Sequence, residues 1–314
     1  MRINLFHAVW AVVFGGSLFA GAESNDSAPS RQPISSLPFV ITQSGDFYAT
    51  TNLTGSCGIA VLTNNVTIDL NGFALTDLNS TNSGIFAPFN FTNLVVSNGS
   101  IRGWSGHGIY ALEMDNCRMT KLEISSNAFT GLNVGDHANV TDCRLLNNGT
   151  SGVLTGTHAL VKDCLAQSNR SDGIHTSADS QVLACLSLNN SGNGITIGGT
   201  SAVRDSTTAQ NRGSGIYISQ PGCQVTGNTS VSNNPIAFRS NAGIYVFDSS
   251  NHIEGNRVTA NGYAGICVFL NYSNNVIVNN TVTYNVTNNY IVPRGNDLRP
   301  AASQAIAGDT NATR

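Results

Sequence analysis

Residues 131–151 read GLNVGDHANVTDCRLLNNGTS, residues 152–172 read GVLTGTHALVKDCLAQSNRSD, and residues 173–193 read GIHTSADSQVLACLSLNNSGN. Written one above another, the three stretches align column by column. Each begins with Gly and a branched aliphatic, each carries Val nine residues after that Gly, and each ends near an Asn. The same beat continues at Gly194-Ile195 and Gly215-Ile216, each glycine 21 residues after the last. Looser members are Gly58-Ile59, Gly84-Ile85, Gly108-Ile109, Gly243-Ile244 and Gly265-Ile266. A fixed period in this range denotes a solenoid, in which each repeat buries its apolar face only against its neighbours.

Further columns lie inside the repeat. Met119, Val140, Val161, Val182, Val203, Val225, Ile253 and Ile277 open a second short apolar stretch. Three residues later come Leu122, Cys143, Cys164, Cys185, Ser206, Asn228, Asn256 and Asn280, and eight residues later Asn127, Asn148, Asn169, Asn190, Asn211, Asn233, Asn261 and Asn285. Short alternating runs rich in Val, Ile and Thr, bounded by Gly and Asn, read as strands and turns. Asn and Gly tolerate left-handed backbone, so they are expected at the corners. Three short strands fit in one repeat, and stacking repeats at the ordinary strand spacing of ~4.8 Å gives a parallel β-helix of about ten coils. Buried Asn amides can then hydrogen-bond along the stack. Helical repeats are excluded, because Gly and Asn are too frequent and no 3.6-residue apolar stripe persists.

The beat spans one domain rather than two. Residues 37–285 are assigned to the β-helix, with 37–83 as N-terminal cap and first coils and 286–314 as C-terminal cap and loose tail; open solenoid ends require such caps. Residues 23–36 read as a disordered leader. Ahead of it, Arg2, the mostly apolar residues 5–19 and Ala20-Gly21-Ala22 have the form of an export signal over 1–22. A secreted, periplasmic or cell-surface location follows as an expectation, with no membrane-spanning segment after its removal. The net charge is −3 and only two lysines occur, Lys121 and Lys162, which argues against nucleic acid as a partner. Cys143, Cys164 and Cys185 share one column, so neighbouring pairs fall within disulfide reach; three buried thiols satisfy the same pattern. No cofactor is indicated, and calcium finds no clustered set of aspartates.

The Gly-Ile beat, the Asn column, the opening Ser44-Gly45-Asp46-Phe47-Tyr48 and the strand with its Asn-Gly corner at 66–72 resemble the right-handed parallel β-helix proteins of the pectate-lyase-like superfamily, including its NosD-like and carbohydrate-active groups. The resemblance covers about residues 38–285. It implies the right-handed sense of the coil, a polysaccharide as partner, and a binding face along the strands that begin at each Gly. Function stays open within it, because the fold hosts lyases, hydrolases, epimerases and adhesins. Gly106-His107-Gly108 resembles an element of polygalacturonases, but the acidic pair and Arg-Ile-Lys element that accompany it there are missing.

Three groups of candidate residues emerge. On the implied face, Tyr217, Tyr245, Phe247 and Phe269 alternate outward and are expected to form an exposed aromatic patch, either a platform for sugar rings or a covered contact area. His137, His158 and Asp179 fall six residues after successive glycines and are expected to stack beside Asp136, as a metal or acid–base line or as a polar turn ladder. Arg170, Asp172 and His175 share one coil, either as a proton-abstracting group of a lyase or as a surface ion pair. Asp136 and Asp179 are the one carboxylate pair near the spacing that a glycoside hydrolase requires. The readings that remain are a polysaccharide-binding protein, a lyase or hydrolase, and a structural or adhesive surface module.

Overall fold

A computed structural model describes residues 31–78, 82–236 and 241–301. The expected export signal over 1–22 lies outside these residues, as do Phe238 and Arg239 of the insert that interrupts the beat. Among the described residues the secondary structure is strand throughout. Every pairing between strands is parallel, and each joins one coil to the next. Leu132 sits beside Val153, Val153 beside Ile174, Ile174 beside Ile195 and Ile195 beside Ile216, so the sequence period is the register of the stack.

Each coil has three short strands. The strands that begin at the Gly beat form a twelve-stranded sheet from Phe39–Ile41 to Asn288–Ile291, here termed the Gly-led face. The other two faces merge into one 22-stranded sheet, because Leu94–Arg102 and Arg118–Ser125 run continuously across both. There are thus twelve coils rather than ten. The two extra coils lack the Gly-Ile signature. Register places Pro38 opposite Gly58 and Asn289 opposite Gly265. The strands also extend beyond the expected span of 37–285. Gln32–Ile34 pairs with the first full coil, and Asp297–Arg299 pairs with Val276–Val278. Eleven steps of ~4.8 Å make the Gly-led face about 53 Å long.

The glycines of the beat are not turn residues. A Cβ on Gly131 would meet the carbonyl of Gly152 and the amide of Asn148; one on Gly194 would meet the carbonyl of Gly215 and the amide of Asn211. The glycine is required because the next coil passes directly over it. Asn289 closes the series without this constraint, since no further described strand of the Gly-led face follows.

Asn and Gly supply left-handed corner residues as expected, at Asn147, Asn189, Gly227 and Gly255 among others, but His, Asp, Ser and Ala do so as well. Each corner uses a single left-handed residue followed by an inward one. His137, Asp142 and Asn147 have φ near +52, +54 and +55°, and the next coil repeats this at His158, Asp163 and Ser168. The inward followers are Ala138, Cys143 and Asn148, all buried. The Asn column is therefore an interior ladder, one residue past the corner. From Asn148 to Asn285 each Oδ1 accepts both the backbone N–H and the Nδ2 of the preceding Asn in the column, at 2.9–3.2 Å. Two shorter ladders stand at the other corners, Asn228–Asn256–Asn280 and Asn251–Asn275–Asn296. The last of these corner columns escaped the sequence reading, because its early members are Cys117, Ala138 and Ser180 rather than Asn.

Stacked aliphatics fill the rest. Ile174, Ile195, Ile216, Ile244 and Ile266 are fully buried in one file, each stabilising the fold by roughly 1.5–3 kcal/mol. Cys143, Cys164 and Cys185 are free thiols, directed at the carbonyls of Met119, Val140 and Val161. Tyr290 packs at the end of the core and donates to the carbonyl of Asn280.

Candidate functional site

Outward side chains of the Gly-led face form two columns on the strands, and Phe247 and Phe269, four residues after Gly243 and Gly265, stand in a third beside them. One, two residues after each Gly, runs Phe86, Tyr110, Asn133, Leu154, His175, Thr196, Tyr217, Tyr245, Cys267. The other, one residue before each Gly, includes His107, Thr130, Asp172, Asn193 and Ser214. The inward flanks of each strand are fully buried aliphatics, as with Leu132 and Val134 around Asn133, which fixes the outward sense.

Aromatic rings occupy the C-terminal third of this face. Tyr217 stacks on Tyr245 with centroids 5.7 Å apart and planes 6° apart. Phe247 lies 6.1 Å from Tyr217 and 6.4 Å from Tyr245, and it continues to Phe269 at 4.9 Å. The expectation of a uniformly exposed patch is corrected here. Tyr245 retains only 4% of its accessible surface, whereas Phe269 retains 41%. Tyr245 is covered because Tyr217, Phe247, Tyr263 and Ile291 pack around it and Cys267. Tyr245 therefore supports the platform, and Tyr217, Phe247 and Phe269 present it. Tyr272, which the alternation could not flag because it sits in a turn, completes the edge 5.5 Å from Phe247. Burial pushes the phenol of Tyr245 up to about 12 and that of Tyr217 upward as well, so both are neutral donors.

Two coils before Tyr217 lies a polar centre. Asp172 Oδ1 accepts the backbone N–H of Asn193 at 2.7 Å, and Oδ2 accepts Thr196 Oγ1 at 2.7 Å. Asn193 Nδ2 donates to Thr196 Oγ1 at 3.1 Å, and His175 Nδ1 stands 3.4 Å from Asp172 Oδ2. The Asp172 side chain is only 14% exposed and that of His175 is 42% exposed, so a shielded carboxylate meets an imidazole that stays open to solvent. Arg170 does not join it. Its side chain is exposed and forms no ion pair with Asp172.

The third group is brought together at a corner, not on a strand face. His137 and His158 stack with ring centroids 4.9 Å apart and planes 16° apart. Asp115 Oδ1 lies 2.7 Å from His137 Nδ1, and Asp179 Oδ2 lies 3.8 Å from His158 Nε2. Asp179 also accepts Thr200 Oγ1. Asp136 is committed to the same corner, where its Oδ1 takes the N–H of Thr157 at 2.6 Å. His137, His158 and Asp179 all have φ between +52 and +58°, so the line follows the left-handed bend of successive coils. A shallow cavity of about 190 Å³ opens beside Asp179, lined by Gln181, Thr200, Arg204 and Gln224. Among the described residues no group of three or more His, Cys, Asp or Glu side chains is arranged to hold a metal ion. No helix there is long and apolar enough to cross a membrane.

Comparison with known proteins agrees with this architecture. Residues 83–230 match the family described as right-handed β-helix region. The chain folds as a right-handed parallel β-helix. No curated protein sequence matches it. Among solved structures, the β-helix protein is similar to a mutant form of the periplasmic alginate epimerase AlgG, at 14% identity and a TM-score of 0.68, over 83% of this chain and 75% of that one. It is also similar to the Dettilon tailspike protein, at 17% identity and a TM-score of 0.64, over 85% of this chain and 62% of the other. A third similar structure is the Agl-KA catalytic domain, at 15% identity and a TM-score of 0.60, over 81% of this chain and 57% of that one. At these identities the likeness is one of fold.

Proposed function

We propose that the protein is exported and binds an extended polysaccharide along its Gly-led face. The observation that carries this reading is the continuous ring platform of Tyr217, Phe247, Phe269 and Tyr272, set on a straight ladder with Thr196, Asn193 and His175 in line with it. Aromatic rings offer flat apolar contact to the faces of sugar rings, and neutral side-chain groups on adjacent coils offer hydrogen bonds at a regular ~4.8 Å repeat. The similarity in fold to an alginate epimerase and a tailspike is consistent with it, as is the export signal expected over 1–22.

Affinity electrophoresis through gels containing a series of neutral and acidic polysaccharides tests the reading. At least one polymer should retard the parent chain, and Phe269→Ala and Tyr217→Ala should each weaken retardation about tenfold, the usual scale for truncating a ring at the centre of a contact. Retardation unchanged in both variants would remove the platform from the binding face.

One observation favours a second reading, in which the same face also performs proton transfer. Asp172 holds His175 from the side, and its shielded carboxylate can orient the imidazole as a general base over the middle of the face. Release of unsaturated products or new reducing ends, abolished by His175→Ala, would support it. Turnover that survives His175→Ala would eliminate it.

A further inference from the structure

Nearer the N-terminal end of the same face lies a cluster that the platform does not use. The His107 ring stands 5.1 Å from that of Tyr110 and 5.4 Å from that of Phe129, and Tyr110 stacks on Phe86 at 5.6 Å. Asn133 is the ladder neighbour of Tyr110 on the next coil and points outward between Tyr110 and Leu154. It is nevertheless 94% buried by the side chains around it, at 6% exposure. Its Oδ1 has no hydrogen-bond partner, and neither does Nδ1 of His107.

Asn139 Oδ1, Thr176 Oγ1 and Thr208 Oγ1 are also without a partner, but among these five atoms only Asn133 Oδ1 and His107 Nδ1 belong to outward columns of the Gly-led face, on adjacent coils. Each unmet buried group carries a penalty of roughly 1–3 kcal/mol, and native proteins retain few of them. Elsewhere on this face such groups find partners, as Asn193, Thr196 and Asp172 do. The rings around the two atoms supply apolar contact, with Phe129 half exposed at the rim. None of Phe86, His107, Tyr110, Phe129 and Asn133 carries a formal charge when His107 is neutral. Burial favours that neutral form, against a smaller opposing effect of the Thr130 backbone.

We propose that His107, Tyr110, Phe129 and Asn133 form a second sugar subsite, which takes a neutral ring whose hydroxyls complete Asn133 Oδ1 and His107 Nδ1. The proposal rests on the reading of the Gly-led face as a polysaccharide surface and names the class of sugar at this end of it. A carboxylated sugar would face the unpaired carbonyl oxygen of Asn133 with no cation inside the cluster to balance it. Tyr110 and Tyr217 are five coils apart, about 24 Å, so one extended chain can occupy both ends.

Calorimetric titration with cellohexaose, laminarihexaose, xylohexaose and hexagalacturonate tests this, using the parent chain, Phe129→Ala, Asn133→Leu and Tyr217→Ala. Phe129 is at the rim, so its truncation leaves the core intact even if Asn133→Leu unfolds. The expected result is binding of a neutral hexasaccharide that weakens about tenfold in Phe129→Ala and in folded Asn133→Leu. Parent-like affinity in Phe129→Ala alongside a loss in Tyr217→Ala would overturn the subsite and leave the polysaccharide face standing. Preference for hexagalacturonate would overturn the neutral class. Absence of binding to all four, with no polymer retarding the chain in gels, would overturn both proposals.

Discussion

Substituting Asn190 by alanine probes what holds the coils in register. Asn190 Oδ1 accepts the backbone N–H of Asn169 at 2.9 Å and its amide at 3.0 Å. Its Nδ2 donates to the carbonyl of Ala166 at 3.1 Å, to Ser187 Oγ at 3.0 Å and to Asn211 Oδ1 at 2.9 Å. All of this happens in a site closed to water. Asn190→Ala leaves the N–H of Asn169 buried without an acceptor, a penalty of about 1–3 kcal/mol, and deletes side-chain bonds with a net value of about 1 kcal/mol each. The amide has two hydrogens for those three acceptors, so three such bonds are lost and the sum is a destabilisation of about 4–6 kcal/mol. Asn285 occupies the same column at the last coil, where it is only half buried, so Asn285→Ala should cost nearer 1 kcal/mol because water can replace it. Asn190→Asp should be at least as harmful as alanine, since it sets a carboxylate oxygen against Asn211 Oδ1 in place of a donor. Urea unfolding followed by circular dichroism measures each difference, with an unchanged slope marking a change in stability alone. If Asn190→Ala costs under about 1 kcal/mol, or no more than Asn285→Ala, the interior ladder does not stabilise the stack as argued.

Other consequences are equally accessible. Gly173→Ala would drive a methyl into Ser187 Oγ, the Asn190 amide and the carbonyl of Gly194, so it should cost about 3 kcal/mol or more, whereas Gly72→Ala, with φ of +80° and open space around it, should cost about 1 kcal/mol; equal urea midpoints would contradict the close-passage role of the beat. His107 has its pKa lowered by burial below the ordinary 6.5. The unfolded chain therefore binds the extra proton first, and stability should be full above pH 6.5 and decline as pH falls below it, with a smaller slope in His107→Gln; identical pH profiles would remove that group from the account. Burial pushes the thiols of Cys117 and Cys267 up to about 12 and that of Cys223 to about 11, and Cys57 is the one cysteine that is not buried. A thiol reagent should label Cys57 first and the column Cys143, Cys164 and Cys185 only on unfolding; rapid labelling of that column in the folded chain would show that it is not closed.

The period carried the architecture because each coil places every residue over its counterpart, so register and sequence repeat are the same quantity. Gly131-Leu132 and its successors were legible for that reason, and so was the Asn127–Asn285 column. What escaped were coils that satisfy the geometry without the signature. Pro38 and Asn289 stand where the beat has Gly, so neither coil adds to the count of ten, although 37–83 takes in the first of them as cap and first coils and 286–314 takes in the last as a cap. Corner chemistry was half legible. Asn was expected at the bends, but the bends accept His137, Asp142, Ser168 and Ala184 because one left-handed residue per corner is a backbone requirement that many side chains tolerate. Column arithmetic stacked His137 on His158 correctly, because those residues share one offset from Gly. It overstated the exposure of Tyr245, whose cover comes from Tyr263, outside the column, and from Ile291, two coils further along it. Arg170 was adjacent to Asp172 in sequence, but its side chain lies outside the contact that Asp172 makes with His175. Unmet polar atoms such as Asn133 Oδ1 have no sequence signature at all, because satisfaction depends on every neighbour at once.

The most direct test of the polysaccharide face is a crystal structure of the protein soaked with the neutral hexasaccharide that binds best. The account predicts a sugar chain lying along the Gly-led face, with one ring against Phe269 or Phe247 and its hydroxyls near Thr196 and His175. Sugar bound on either of the other two faces, or at the His137–His158 corner alone, would contradict it.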